Sequence, residues 1–104
     1  MILRVWRARA DADRRDAYPG HFRHSVLPEL RAVPGFLGAT LCSRDVDDRV
    51  EFTVITRWAS LEAIRGFAGD VLDRAVVEPA AVLALRDYDH AVEHLTVIDD
   101  VGAP

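Results

Sequence analysis

The pattern HAVEH at residues 90–94 is the most suggestive chemical motif in this chain. An H-x-x-E-H string supplies two metal ligands and a general base in some zinc proteases. On a helix, His90 and His94 would share a face one turn apart and could chelate zinc. The surrounding residues instead alternate and are rich in β-branched side chains, which predicts a strand over 91–99. On a strand the two histidines stand about 13 Å apart and Glu93 points to the opposite face, so we predict no metal site.

His94 is the best single candidate for a catalytic residue. On the predicted strand it shares a face with Val92, Thr96 and Ile98, and these neighbours indicate partial burial. Burial and a polar partner can shift the pKa of a histidine towards the value that acid–base catalysis needs. The alternative is a half-buried, hydrogen-bonded histidine at the rim of the fold.

A second pair, His21 and His24, lies three residues apart, which places both on one face of a predicted helix. The pair could bind a metal or act in acid–base chemistry near neutral pH, but no third ligand is near in the sequence. Pro28 cannot donate to the carbonyl of His24, so the helix should kink or restart there, beside a pocket. We therefore predict a pocket role for this pair, together with Phe22 on the same helix.

Aromatic residues on other predicted elements extend this pocket. Trp6 lies on the first strand, Trp58 ends the third strand, and Phe67 lies on the second helix. They are predicted to form an aromatic wall between the sheet and the helices. The alternative for both tryptophans is a purely volume-filling role in a core or an interface.

Composition limits the classes of function. The chain has 104 residues, half of them hydrophobic, and a net charge of −4 with the two signs interspersed. This length predicts one domain over 1–104, with 99–104 as a flexible tail. No basic stripe predicts nucleic-acid binding, and no apolar run approaches the roughly 18 residues of a membrane span. A single cysteine, Cys42, excludes an internal disulfide, and we expect a cytoplasmic protein.

The order of predicted elements indicates an α+β fold of the ferredoxin-like type, β-α-β-β-α-β. Such a fold has a four-stranded antiparallel sheet with both helices on one face. The opposite face also carries apolar residues, and a second subunit would cover it economically, so we predict a homodimer with its sheets face to face. The predicted strands are 2–10, 35–44, 50–58 and 91–99; one helix follows a cap at Asp11 or Asp13, a second is capped by Ser60 and closed by Gly69, and a short one runs from Asp70 to near Pro79.

Three stretches, VLPELRAVPGFLGATL (26–41), FTVITRWASLEAIRGFAG (52–69) and VEHLTVI (92–98), make the chain resemble the antibiotic biosynthesis monooxygenase family. The resemblance implies a dimeric α+β barrel. Members of this superfamily include cofactor-free oxygenases of polyketide anthrones, haem-degrading enzymes and proteins without an assigned activity.

The chain departs from both kinds of family enzyme. Anthrone oxygenases tend to carry an asparagine four residues before the tryptophan of the third strand, and Val54 stands there before Trp58. Haem-degrading relatives use an asparagine on the first strand, a tryptophan in the second helix and a histidine after it. Here the strand has no asparagine, the helix position is Phe67, and 76–77 are valines. Haem degradation is therefore the least favoured function.

The leading hypothesis is a cofactor-independent oxygenase, or a related catalyst, acting on an aromatic or polyketide-type molecule in an apolar pocket. In it, His94 serves as base or hydrogen-bond donor and Trp58 as a pocket wall. The alternative is a non-catalytic or stress-related dimer that holds a hydrophobic ligand. No cofactor is expected in either case.

Overall fold

An antiparallel sheet forms one layer of the protein, which a computed structural model describes over residues 1–104. The strands are β1 (Ile2–Asp11), β2 (Phe36–Val46), β3 (Arg49–Trp58), β4 (Asp87–Tyr88) and β5 (Glu93–Thr96). The strand order is β2-β3-β1-β4, and β5 pairs with β1 beside β4. This is the strand order of a ferredoxin-like sheet, and the predicted α+β class is confirmed.

The fourth strand of the sheet is divided into two pieces, so five strands replace the predicted four. β4 pairs with β1 at Ala8 and Arg9, whereas β5 pairs with Ile2–Val5. Between them the chain turns away from β1, and the N–H of Val92 donates instead to the carbonyl of Asp73 at 2.8 Å. The predicted strand over 91–99 is consequently reduced to Glu93–Thr96.

Short helices cover one face of the sheet. They are α1 (Ala17–His21), a π-helical segment (Phe22–Val26), α2 (Leu27–Arg31), α3 (Leu61–Ala68) and α4 (Pro79–Ala84), with a 3-10 turn over Ala12–Arg14. None of them has the length and apolar character that a membrane-crossing helix needs.

Strict alternation along β3 determines where the core lies. The even-numbered residues from Val50 to Trp58 are buried, and the odd-numbered ones are only partly covered. Trp58 is fully buried, as is Ile64 of α3, and Leu30 of α2 packs into the same cluster. The even side of β3 therefore faces the helices, as the period of two predicts.

The second helix begins and ends as predicted. The hydroxyl of Ser60 accepts a hydrogen bond from the N–H of Ala63 at 3.1 Å, which caps α3. Gly69 ends the helix with a φ of 79°, a conformation that favours glycine. The two predicted strands over 35–44 and 50–58 form an antiparallel hairpin, with the chain reversing at Asp47 and Asp48 between β2 and β3.

The first crossover helix restarts near Pro28, as predicted, but its geometry changes earlier. α2 begins at Leu27, so Pro28 lies in the first turn, where its missing N–H does no harm. The preceding turn is π-helical: the N–H of Leu27 donates to the carbonyl of Phe22, five residues back. This wider turn breaks the three-residue spacing that placed His21 and His24 on one face. His24 is exposed, whereas His21 is half-buried.

The short helix predicted from Asp70 is wrong, because residues 70–78 have no helical structure. The guanidinium of Arg4 donates to the carbonyls of Leu72 and Arg74, which a helix would use internally. The N–H of Ala75 also pairs with the carbonyl of His90. These tertiary hydrogen bonds outweigh the local helical tendency, and the helix forms only from Pro79.

Candidate functional site

A cavity opens between the buried face of the sheet and the helices. Its floor comes from β1 and β3, one wall from α1 to α2, and the other from the irregular segment 70–78. The cavity has a volume of about 50 Å³. The volume rises to about 600 Å³ when the space that is open to solvent between the walls is included. Most of the lining is apolar: Trp6, Tyr18, Val26, Leu30, Val54, Phe67, Val76, Val77, Ala81 and Val92.

Arg4 is the buried cation of this cavity. Only 4% of its surface is exposed, and it lies on the same strand face as Trp6. Its Nη1 donates to the carbonyl of Leu72 at 2.5 Å and to Nε2 of His94 at 3.0 Å, and its Nη2 donates to the carbonyl of Arg74 at 2.7 Å. Burial lowers the pKa of Arg4 to about 10 although the nearby carboxylate of Asp73 opposes this. The guanidinium therefore stays charged at neutral pH.

His94 lies behind Arg4 rather than in the cavity lining. It is the cross-strand neighbour of Arg4 between β5 and β1. An arginine has only donors, so the Nε2 atom in this contact is the acceptor and carries no proton. Burial, and secondarily the charge of Arg4, lower the pKa of His94, while Asp73 opposes them. The imidazole is therefore neutral at neutral pH, with its Nε2 lone pair directed at Arg4.

The helical wall contributes Tyr18, His21 and Glu29. Tyr18 is 3% exposed, and burial, together with the charge of Glu78, raises the pKa of its hydroxyl above the ordinary value. Its hydroxyl is thus neutral. The Nε2 atom of His21 is buried and has no hydrogen-bond partner. Neither Glu29 nor Glu78 forms an ion pair, so the cavity holds polar groups that its own walls do not satisfy.

The structure brings some of the predicted site residues together and separates others. Trp6, His21 and Phe67 line the cavity. Trp58 is fully buried beside it, stacks on Phe67 with the ring centroids 5.8 Å apart, and donates from its indole N–H to Thr56 at 2.8 Å. The other two, Phe22 in the hydrophobic core and His24 at the surface, lie outside the lining.

Arg4 and Tyr18 are the residues that sequence reasoning missed. Arg4 stands two positions before Trp6, so the period of two places both on one face of β1. That spacing was the available signal, because a face that carries the pocket tryptophan also carries whatever lies two residues away. Tyr18 lies three residues before His21, which is the same helical face.

The profile of the family described as antibiotic biosynthesis monooxygenase matches residues 1–70. This is more than half of the chain. The chain belongs to the antibiotic biosynthesis monooxygenase family. Two of the three stretches that suggested the resemblance, 26–41 and 52–69, lie within the matched residues. No curated protein matches the chain.

Solved structures of the same architecture accompany this family assignment. The haem-degrading protein MhuD of Mycobacterium tuberculosis, with two haems in its active site, is 23% identical with a TM-score of 0.63, covering 98% of this chain and all of its own. A monooxygenase of Streptomyces coelicolor in complex with nanaomycin D is 19% identical with a TM-score of 0.63, covering 99% of this chain and 91% of its own. At these identities the likeness shows the fold.

The cavity of this family member does not suit a haem held through the expected histidine. Val76 and Val77 line the cavity at the positions where the family resemblance implies a haem-ligating histidine, and valine offers no donor atom. Two carboxylates, Glu29 and Glu78, line the same cavity and would repel the propionate groups of a haem.

Proposed function

We propose that the chain is a cofactor-independent oxygenase that oxidises a small aromatic, polyketide-type molecule in this cavity. The observation that carries the proposal is a buried, charged Arg4 at one end of a cavity walled by Trp6, Tyr18 and Phe67. Aromatic walls favour a flat apolar ligand, and a desolvated cation favours negative charge that develops on it. Family membership supports an oxygenase, and the ligand class follows from the lining.

The reaction would begin with transfer of a proton from a CH₂ group conjugated with a ring carbonyl to a carboxylate of the lining, Glu29 or Glu78. The same carboxylate would return the proton to the peroxide that forms later. The electron pair stays on the ligand as an enolate, and the enolate passes an electron to O₂. Recombination of the two radicals and loss of water convert the CH₂ group to a carbonyl, so that one O₂ is consumed and one water released. Arg4 would stabilise the enolate oxygen, and the apolar walls would exclude water from the intermediate.

His94 would act through Arg4 in this proposal. A catalytic base needs a free lone pair, and Nε2 of His94 already accepts a hydrogen bond from Arg4. Holding the guanidinium in place is the function that this contact favours, so we propose His94 as a positioning residue. A base role would require Arg4 to move away first.

Oxygen uptake with 1,8-dihydroxy-9-anthrone as probe tests the proposal. We expect uptake above the spontaneous rate, unchanged by a chelator, and a loss of about 10²-fold in kcat for Arg4→Met. The matched control is Arg65→Met, because Arg65 lies on α3 outside the cavity lining and forms an exposed ion pair with Glu62. No uptake above the spontaneous rate would contradict an oxygenase acting on this probe class.

A non-catalytic ligand-binding protein is the second candidate. The absence of the asparagine that anthrone oxygenases carry, with Val54 in its place, favours this candidate. Binding of the anthrone probe without oxygen uptake is the result that would select it.

We further propose that two copies associate through the uncovered face of the sheet. The apolar residues of this open face are Leu3, Val5, Ile55 and Leu95, and the ion pair between Arg7 and Glu93 lies beside them. Val5 is nearly buried without belonging to the main core, and Leu95 is 49% exposed. Sedimentation equilibrium should show a dimer that Ile55→Glu dissociates. The control Leu83→Glu, at an exposed apolar residue of α4, should leave it intact; a wild-type monomer would contradict the proposal.

A further inference from the structure

A second cavity adjoins the first one at Val77, beside the edge strand β4. Its volume is about 280 Å³, and its lining consists of Arg74, Ala75, Val77, Tyr88 and His90. Val77 is the one residue that the two linings share. Small-molecule sites begin at about this volume, so the cavity suits a ligand of about the size of one substituted ring.

Two hydrogen-bonded stretches of backbone hold the polar groups of this second cavity in place. Arg74 forms an antiparallel bridge with Ala91, and the N–H of Ala75 donates to the carbonyl of His90 at 2.9 Å. Tyr88 belongs to β4, and the centroid of its ring lies 4.9 Å from that of His90. The fold has therefore already fixed the backbone that carries these side chains, which lowers the entropy cost of binding a ligand.

Arg74 carries the one permanent charge of this lining, and it forms no ion pair. The acids beside the lining residues in the sequence are engaged elsewhere. Asp89 pairs with Arg9 at 2.7 Å, and the charge of Asp73 acts on Arg4. Because no carboxylate lines the second cavity, the donors of the Arg74 guanidinium are free to bind an anion.

We propose that the second cavity binds a small organic carboxylate, with Arg74 pairing with the carboxylate group. The guanidinium matches a carboxylate both in its geometry and in its single charge. A phosphate monoester carries about 1.5 to 2 negative charges, which one arginine would compensate only in part. The rings of Tyr88 and His90 and the side chain of Val77 offer an apolar surface to the rest of the molecule. This site is independent of the oxidation proposed for the first cavity.

Isothermal titration calorimetry with benzoate and its uncharged analogue benzamide tests this site. We expect the wild type to bind benzoate at least about tenfold more tightly than benzamide, and Arg74→Met to lose this preference. Arg74 is exposed, so the variant should fold normally. Arg31→Met is the matched control and should keep the preference, because Arg31 is also exposed and lines neither cavity. An unchanged preference in Arg74→Met, or no preference in the wild type, would overturn the proposal.

Two further titrations establish where benzoate binds and which anion the site selects. Val76→Trp fills the first cavity, and Val76 does not line the second. This variant should bind benzoate as the wild type does; loss of binding would place benzoate beside Arg4 and overturn the second site. Inorganic phosphate should bind the wild type more weakly than benzoate, and tighter binding of phosphate would overturn the assignment to a carboxylate. None of these results depends on oxygen uptake, which tests the first cavity separately.

Discussion

The contact between Arg4 and His94 provides the sharpest energetic test of the site. Arg4→Met removes a buried guanidinium together with its hydrogen bonds to Nε2 of His94 and to the carbonyls of Leu72 and Arg74. His94→Leu removes the acceptor but leaves the two carbonyl contacts. The double variant lacks both groups. Comparing the four proteins isolates the interaction between the two side chains.

The expected energies follow from burial. Removing one partner from a buried charged pair lowers the free energy of unfolding by about 3–5 kcal/mol. We expect a loss of this size for Arg4→Met. A single hydrogen bond from a charged donor contributes about 1.5–3 kcal/mol, so the coupling between Arg4 and His94 should lie near 2 kcal/mol. Arg65 and Glu62 form an exposed ion pair on α3, with the two atoms 3.7 Å apart. Their coupling should be only about 0.2–1 kcal/mol.

Urea unfolding at pH 7.5 measures both couplings under the same conditions. The Arg4–His94 coupling should clearly exceed the Arg65–Glu62 coupling. Equal couplings, or a value near zero for Arg4 and His94, would refute the claim that His94 holds the guanidinium.

Three further predictions concern stability. Because burial and the neighbouring guanidinium lower the pKa of His94, its contribution is present above about pH 6.5 and lost as the pH falls. Urea unfolding from pH 7.5 to 5 should therefore weaken wild type more than His94→Gln; identical pH profiles would contradict this. Gly35→Ala should cost about 2–4 kcal/mol in urea unfolding, because φ is 88° and the new Cβ would lie 2.5 Å from that of Ala63. Gly20→Ala, at a helical position with open space around it, should raise the free energy of unfolding by about 0.5–1 kcal/mol. Equal changes in the two glycine variants would contradict the clash at Gly35. Ser60→Ala should lower the thermal unfolding free energy by about 1 kcal/mol, and no change would show that the cap contributes nothing.

Periodicity and capping residues predicted the framework of the fold. The alternation along β3 and the cap and closing residues Ser60 and Gly69 act locally, so the sequence alone determines them. The segment 70–78 could not be predicted in this way. Its conformation depends on the side chain of Arg4, which comes from the opposite end of the chain.

The site was predictable only in part for the same reason. Trp6 and Phe67 reach the cavity because their strand and helix have regular geometry. His21 and His24 could not be told apart, since their different environments come from a π-helical turn that no simple periodicity reveals. His94 was recognised as half-buried, but its partner Arg4 lies 90 residues earlier in the sequence.

Blocking the cavity is the most direct test of the central claim that this space binds the substrate. Val76 lines the cavity and Val71 does not, yet both lie on the same segment with nearly equal exposure, 46% and 45%. In oxygen uptake with the anthrone probe, Val76→Trp should lose at least about tenfold in kcat/KM, because indole would occupy the ligand space. Val71→Trp should retain the wild-type rate. Equal rates for the two variants would contradict a substrate site in this cavity.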